Sequence, residues 1–157
     1  MSGEIIRIVL LSALAVLLVA AAVTDIRARI ISNRLNLAIA LLAPLYWLAS
    51  GIPAWPDMAL QVGMGIGMFG IFAALFALGM MGGGDVKLLA AVALWFPWQA
   101  LGFLLLLMSV VGGVVTLVTV VHHRMNRRLG QPEIPYGVAI SFAAMWLVGE
   151  RIIYHFA

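Results

Sequence analysis

Residues 5–24 of this chain read IIRIVLLSALAVLLVAAAVT, 20 residues with a single charge. A helix needs about 20 apolar residues, within a range of about 17–25, to cross the hydrocarbon core of a bilayer. Five more apolar segments follow, at 35–50, 58–81, 85–96, 98–121 and 135–156. The fourth spans about three helical turns and must lean on its neighbours. Of all 157 residues, 65% are hydrophobic and 10% charged. A soluble domain carries about 25% charged residues, and a chain of this length has too little interior to hide so much apolar surface. Lipid must be its main solvent. The expected fold is all-α, a single-domain bundle of about six transmembrane helices over residues 1–157.

The first segment ends in VAAAV, which looks like a signal cleavage site. Its apolar run exceeds the about 7–15 residues of a signal core, and further spans follow, so it is expected to remain in the protein.

Charge alternates between the loops. Arg27, Arg29 and Arg34 follow the first segment, Lys87 lies in the third connection, and Arg124, Arg127 and Arg128 lie in the fifth. Threaded in order, these share one side of the membrane, which the excess of basic residues marks as cytoplasmic. The other side holds Arg7, Arg151, Glu4, Asp57 and Glu150, and both termini are expected there. Trp55, Trp95 and Trp98 fall near the outer ends, where amphipathic rings favour the interface. The glycines of GMGIGMFG (Gly63, Gly65, Gly67 and Gly70) form a close-packing face for another helix. Met64, Met68, Met80 and Met81 are expected to fill gaps in the core.

With no cysteine, disulfides, thiolate metal sites and a cysteine nucleophile are excluded. Of the six acids, Glu4, Asp57 and Glu150 belong to the outer side and Glu133 to the long basic loop. Asp25 and Asp85 remain, each at the edge of an apolar segment and 60 residues apart in sequence. The threading nonetheless puts both at the cytoplasmic face. Ionisable groups at membrane depth are costly and are functional candidates by default. Each has a plain structural reading. Asp85 precedes a helix and suits an N-cap, and Asp25 can pair with Arg29 at i, i+4. As a pair they suit acid–base hydrolysis, in which one carboxylate activates water and its protonated neighbour polarises a carbonyl. The helix dipoles favour the charge on Asp85, at a helix start, over Asp25, at a helix end. Gly82, Gly83 and Gly84 stand directly before Asp85. Side-chain-free backbone lets an extended peptide approach, and the same glycines also suit a plain turn.

Gly82-x-Gly84-Asp85 matches the GxGD motif of membrane aspartic proteases, and GGGDVKLLAAVALW with TDIRARIISNRLN resembles the type IV prepilin peptidases. The family commonly reads Ile-Pro-Asn where this chain has Ile31-Ser32-Asn33. IPYGVAI, with Pro135-Tyr136-Gly137, resembles the segment that opens the family's last helix. The resemblance implies an endopeptidase with Asp25 and Asp85 as its catalytic aspartates, set at the cytoplasmic boundary of a bacterial inner membrane. It implies a prepilin or pseudopilin substrate with a short basic leader before an apolar helix. Longer members carry a cysteine-containing first loop and also N-methylate the new N-terminus. Here that loop is about ten residues, so the chain resembles the short form of tight-adherence (Flp) systems. Peptidase activity alone is expected, with no cofactor, no metal and no nucleic-acid partner.

Gly82, Gly83, Gly84, Glu133 and Tyr136 are candidate substrate contacts, with Glu133 expected to meet the basic leader. Asn33 suits either substrate or packing. Lys87 points away from Asp85 on a regular helix, towards the interface or a lipid phosphate. His122 and His123 are adjacent and cannot share one ligand from a helix face. A small proton-coupled transporter or a non-catalytic membrane subunit remains the alternative.

Overall fold

The computed structural model describes residues 2–125 and 134–156. Among these residues six α-helices follow one another: α1 (Ser2–Ala28), α2 (Asn33–Ala49), α3 (Ala59–Ala77), α4 (Gly83–Ala93), α5 (Trp98–Met125) and α6 (Tyr136–Phe156). A wide helical turn, Ala54–Met58, leads into α3. The expected all-α membrane bundle is what forms. Among the described residues, four helical stretches are long and apolar enough to cross a membrane: Gly3–Ala28, Ala54–Ala77, Trp98–Met125 and Tyr136–Ile153. Their large apolar side chains are widely exposed, Val16, Leu106 and Leu117 among them, as a lipid-facing surface requires.

The packing order runs α5–α6–α1–α2–α4–α3, with α4 also touching α6. Helix α4 is therefore the inner element. Seven of its 11 residues are buried, and at about 1.5 Å per residue it is roughly half as long as the hydrocarbon core is thick. A helix that stops at membrane depth leaves carbonyls with no water to bind. Two long side chains supply the missing donors. Trp47 Nε1 donates to Leu94 O at 2.8 Å, and Arg151 Nη1 donates to Trp95 O at 3.0 Å. The Arg151 guanidinium also lies 4.9 Å from the Phe96 ring centre and donates to Tyr46 Oη. A cation at a helix C-terminus is favourable in its own right.

Several expectations change here. Trp95 is not at the interface. It is fully buried, and its Nε1 donates to Ile39 O at 2.9 Å, because an indole N–H at depth needs a partner. Trp55 and Trp98 are exposed, as expected. Of the α3 glycines, only Gly65 forms a packing face. A Cβ there would meet Leu94 Cδ2 at 2.5 Å and Ala90 O at 3.4 Å, whereas Gly63, Gly67 and Gly70 face open space. Met68 is buried and Met64 and Met81 pack against the core, but Met80 is exposed beyond the end of α3. The helix bounds also shift. Helix α1 continues past Asp25 to Ala28, and α3 stops at Ala77, short of residue 81.

Ser32, at the departure from Ile-Pro-Asn, caps α2. Its extended backbone (φ −67°, ψ 145°) suits the position, and its side chain accepts from Leu35 N–H at 3.3 Å. Serine thus supplies an acceptor for an orphan amide that proline lacks.

Candidate active site

Three helix ends converge at one end of the bundle. Asp25 lies one turn before the end of α1, Asp85 in the first turn of α4, and Gly137 in the first turn of α6. Both aspartates are buried, at 5% and 7% exposure. Asp25 Oδ2 accepts from Val138 N–H at 3.2 Å. The Gly137 amide lies within reach of both carboxyl groups, and the two are near enough to repel one another. A partnership across 60 residues of sequence is thus a spatial one.

The local roles differ from those read in the sequence. Gly82, with φ −72° and ψ 142°, is the N-cap of α4, so Asp85 is the third helical residue. Its carboxylate reaches back towards the Gly82 amide, the reciprocal half of a capping box. Gly83 and Gly84 lie inside the helix, in the turn where amides need no intrahelical partner. The triplet is therefore a helix start and not a free leader. Asp25 faces the end of its own helix, but it also faces the amides that open α6. The dipole of its own helix disfavours charge on Asp25, but the start of α6 supplies it with donors equivalent to those Asp85 has at the start of α4. Asp85 Oδ1 is buried without a hydrogen-bond partner.

Close packing explains the glycines. A Cβ on Gly84 would stand 3.2 Å from Ile31 Cβ and 3.3 Å from Ile31 O, and one on Gly83 would stand 3.3 Å from Phe76 Cε2. A Cβ on Gly82 would meet Asp85 Oδ2 at 2.8 Å. At Gly137 a Cβ would meet Asp25 Oδ2 at 2.8 Å and Ile31 Cδ1 at 2.5 Å. The sequence pointed to Tyr136, but its ring lies against α5 near Gly112. The next residue, Gly137, is the one that abuts the aspartates. The loop between α1 and α2 folds over the same place. It leaves α1 through Arg29, whose φ is +55° and whose N–H returns to Asp25 O at 3.0 Å. Arg29 also acts on the Asp25 carboxylate through its charge.

Asn36 went unremarked in the sequence. It is buried, and its Nδ2 donates to Gly84 O at 3.1 Å, tying α2 to the turn that carries Asp85. Its signal was a polar residue one turn into an apolar helix. Asn33 accepts from Lys87 Nζ at 2.8 Å, so Lys87 does turn away from Asp85. Glu133 lies outside the described residues, as do Arg127 and Arg128. Among the described residues, no three His, Asp or Glu side chains gather as a metal site.

The profile of the type IV leader peptidase family matches residues 12–117, which include both aspartates. The chain belongs to this family. It is also 39% identical over 69 residues to prepilin leader peptidase/N-methyltransferases from Aeromonas salmonicida and Aeromonas hydrophila, 43% of this chain and 22% of each relative. The Stutzerimonas stutzeri protein of the same name is 39% identical over 75 residues, 46% of this chain and 25% of that protein. The match thus spans a quarter or less of those relatives' lengths. No solved structure matches the chain.

Proposed function

We propose that this chain is a membrane aspartic endopeptidase that removes the short basic leader from type IV prepilins or pseudopilins. The observation that carries the reading is the meeting of Asp25 and Asp85 around the Gly137 amide. In the proposed reaction one ionised carboxylate takes a proton from water while the other, protonated, hydrogen-bonds the scissile carbonyl. The resulting hydroxide adds to the carbonyl carbon, the C–N bond breaks, and the leaving amine takes the proton that the first carboxylate removed from water, which restores the pair. Two like charges held close cannot both ionise readily, which keeps one proton on the pair.

The cut is proposed at the cytoplasmic boundary of a bacterial inner membrane, with both termini outside. Arg27, Arg29, Arg34 and Lys87, near the aspartates in sequence, support that orientation. The Flp-type substrate and peptidase activity without N-methylation belong to the same reading, supported by the short first loop, although the relatives' names carry both activities. Gly82, Gly83 and Gly84 are proposed to border the extended substrate through their backbone, with Glu133 meeting the leader; Tyr136, whose ring lies against α5, is left out of this reading.

Co-expression with a prepilin tests the reading. Wild type cleaves, while Asp25→Asn and Asp85→Asn each abolish cleavage and persist in the membrane. Absence of cleavage by the wild type would favour a transporter or a non-catalytic subunit. A methyl group on the new N-terminus, read by mass spectrometry, would refute the peptidase-only form. Unchanged leader binding and cleavage in Glu133→Gln would remove that residue's role.

A further inference from the structure

Peptide hydrolysis needs water and an extended chain beside both carboxylates. In this structure that approach is closed. Asp25 and Asp85 are buried, and so is the side chain that covers them, Ile31. Ile31 Cδ1 and Asp25 Oδ2 crowd the point where Gly137 lacks a Cβ, at 2.5 and 2.8 Å. The Cβ, carbonyl oxygen and nitrogen of Ile31 lie 3.2, 3.3 and 3.4 Å from the corresponding point on Gly84. Ile31 therefore rests on both glycines that flank the aspartates. Phe76 covers the neighbouring Gly83 from α3, but it is itself exposed and leaves the seal to Ile31.

The arch that carries Ile31 is short and lightly held. It joins Ala28, the last residue of α1, to Asn33, the first of α2. At one foot Arg29 has a φ of +55°, and its N–H donates to Asp25 O. At the other foot Ser32 O accepts from the N–H groups of Leu35 and Asn36. Between them Ile30 is exposed and Ile31 buried, the alternation of an extended segment. Among the described residues, neither makes a backbone hydrogen bond. Apolar packing of one side chain thus keeps the arch down. Lifting it breaks no backbone hydrogen bond, which places it among the low-cost motions of the fold.

We propose that Ile31 is a gate: at rest it occupies the place over Gly84 and Gly137 that the substrate's extended segment takes, and the arch lifts before cleavage. The proposal rests on the peptidase reading and adds a closed resting state to it. A closed gate keeps water and unrelated chains away from the carboxylates. Only the open fraction binds substrate, so the apparent affinity is lowered by that fraction. Trimming Ile31 raises the open fraction and leaves the chemistry alone. One buried methylene is worth about 0.8 kcal/mol, a factor of about four. Ile31→Val therefore opens the site about four times more often, and Ile31→Ala, which removes three carbons, about 50 times.

The chain has no cysteine, so a single introduced thiol reports the gate directly. Asp25→Cys places one in the site, and its rate of reaction with a small water-soluble thiol reagent is measured in membranes. Ile31→Val and Ile31→Ala are expected to speed that reaction about fourfold and about 50-fold. In a separate protein, Ala93→Cys places a thiol at the buried far end of α4, where the rate is expected to stay unchanged. Unchanged labelling at position 25, or an equal rise at position 93, overturns the gate. Prepilin cleavage is measured in parallel on proteins that keep both aspartates. Ile31→Val is expected to lower KM about fourfold at constant kcat. A raised KM makes Ile31 a substrate contact and overturns the gate. Faster labelling with no cleavage by the wild type refutes the peptidase reading and leaves Ile31 as the cover of the aspartates. Cleavage with labelling unchanged refutes the gate alone.

Discussion

Gly137→Ala is a sharp perturbation of the paired aspartates. The added Cβ would lie 2.8 Å from Asp25 Oδ2, 3.0 Å from Asp25 Cγ and 2.5 Å from Ile31 Cδ1. The Ile31 methyl is the far end of a flexible side chain and can rotate aside. The carboxylate cannot yield without giving up the 3.2 Å bond from Val138 N–H. A hydrogen bond to a charged group contributes about 1.5–3 kcal/mol, and overpacking a tight site costs about 1–3 kcal/mol. The helical preference of alanine over glycine offsets about 1 kcal/mol. The net expectation is a loss of about 2–5 kcal/mol in stability. A carboxylate displaced by about 1 Å lowers cleavage about 100-fold. Gly112→Ala serves as the control, since its nearest contact would be an ordinary 3.7 Å to Ala139 Cβ. Both variants are assayed for prepilin cleavage in proteoliposomes and for thermal unfolding in detergent. Full activity and unchanged stability in Gly137→Ala would refute the close approach of α6 to Asp25.

Ser32→Ala removes the α2 cap and is expected to cost about 1 kcal/mol, a fall of about 2–4 °C in melting temperature for a chain of this size. Gly65→Ala is expected to destabilise by about 1–3 kcal/mol through its contacts with Leu94 and Ala90. Gly63→Ala, with open space around it, is expected to stabilise slightly, so equal effects at the two positions would contradict the α3–α4 contact. Arg151→Lys cannot span both Tyr46 Oη and Trp95 O with a planar fork. A loss of about 1–2 kcal/mol is expected, read by chemical denaturation in micelles.

Much of the architecture was legible because lipid imposes a simple rule on sequence. An apolar run of sufficient length must become a helix, since no other local structure satisfies its backbone in hydrocarbon. That rule marked out all six helices and put Asp25 and Asp85 on one side. The motif around Gly82-x-Gly84-Asp85 added the chemistry. Helix ends were less legible, because capping depends on local geometry. Asp85 was read as the cap where Gly82 occupies that position. Trp95 was misread because a tryptophan near a helix end looks interfacial until its N–H finds a partner in the core.

Hydropathy and order alone determined a six-helix membrane bundle with two acids on one face and a glycine start to the fourth helix. Which residues complete the site depended on contacts between segments far apart in sequence. Gly137 faces Asp25 across more than a hundred residues, and Asn36 reaches Gly84 across nearly fifty. Sequence periodicity carries no record of such pairings. They follow from how a short inner helix, α4, is sealed at both ends: by Asn36 at its start, and by Trp47 and Arg151 at its close. In hydrocarbon every backbone end must find a donor or acceptor, and only the tertiary fold decides which side chains supply them.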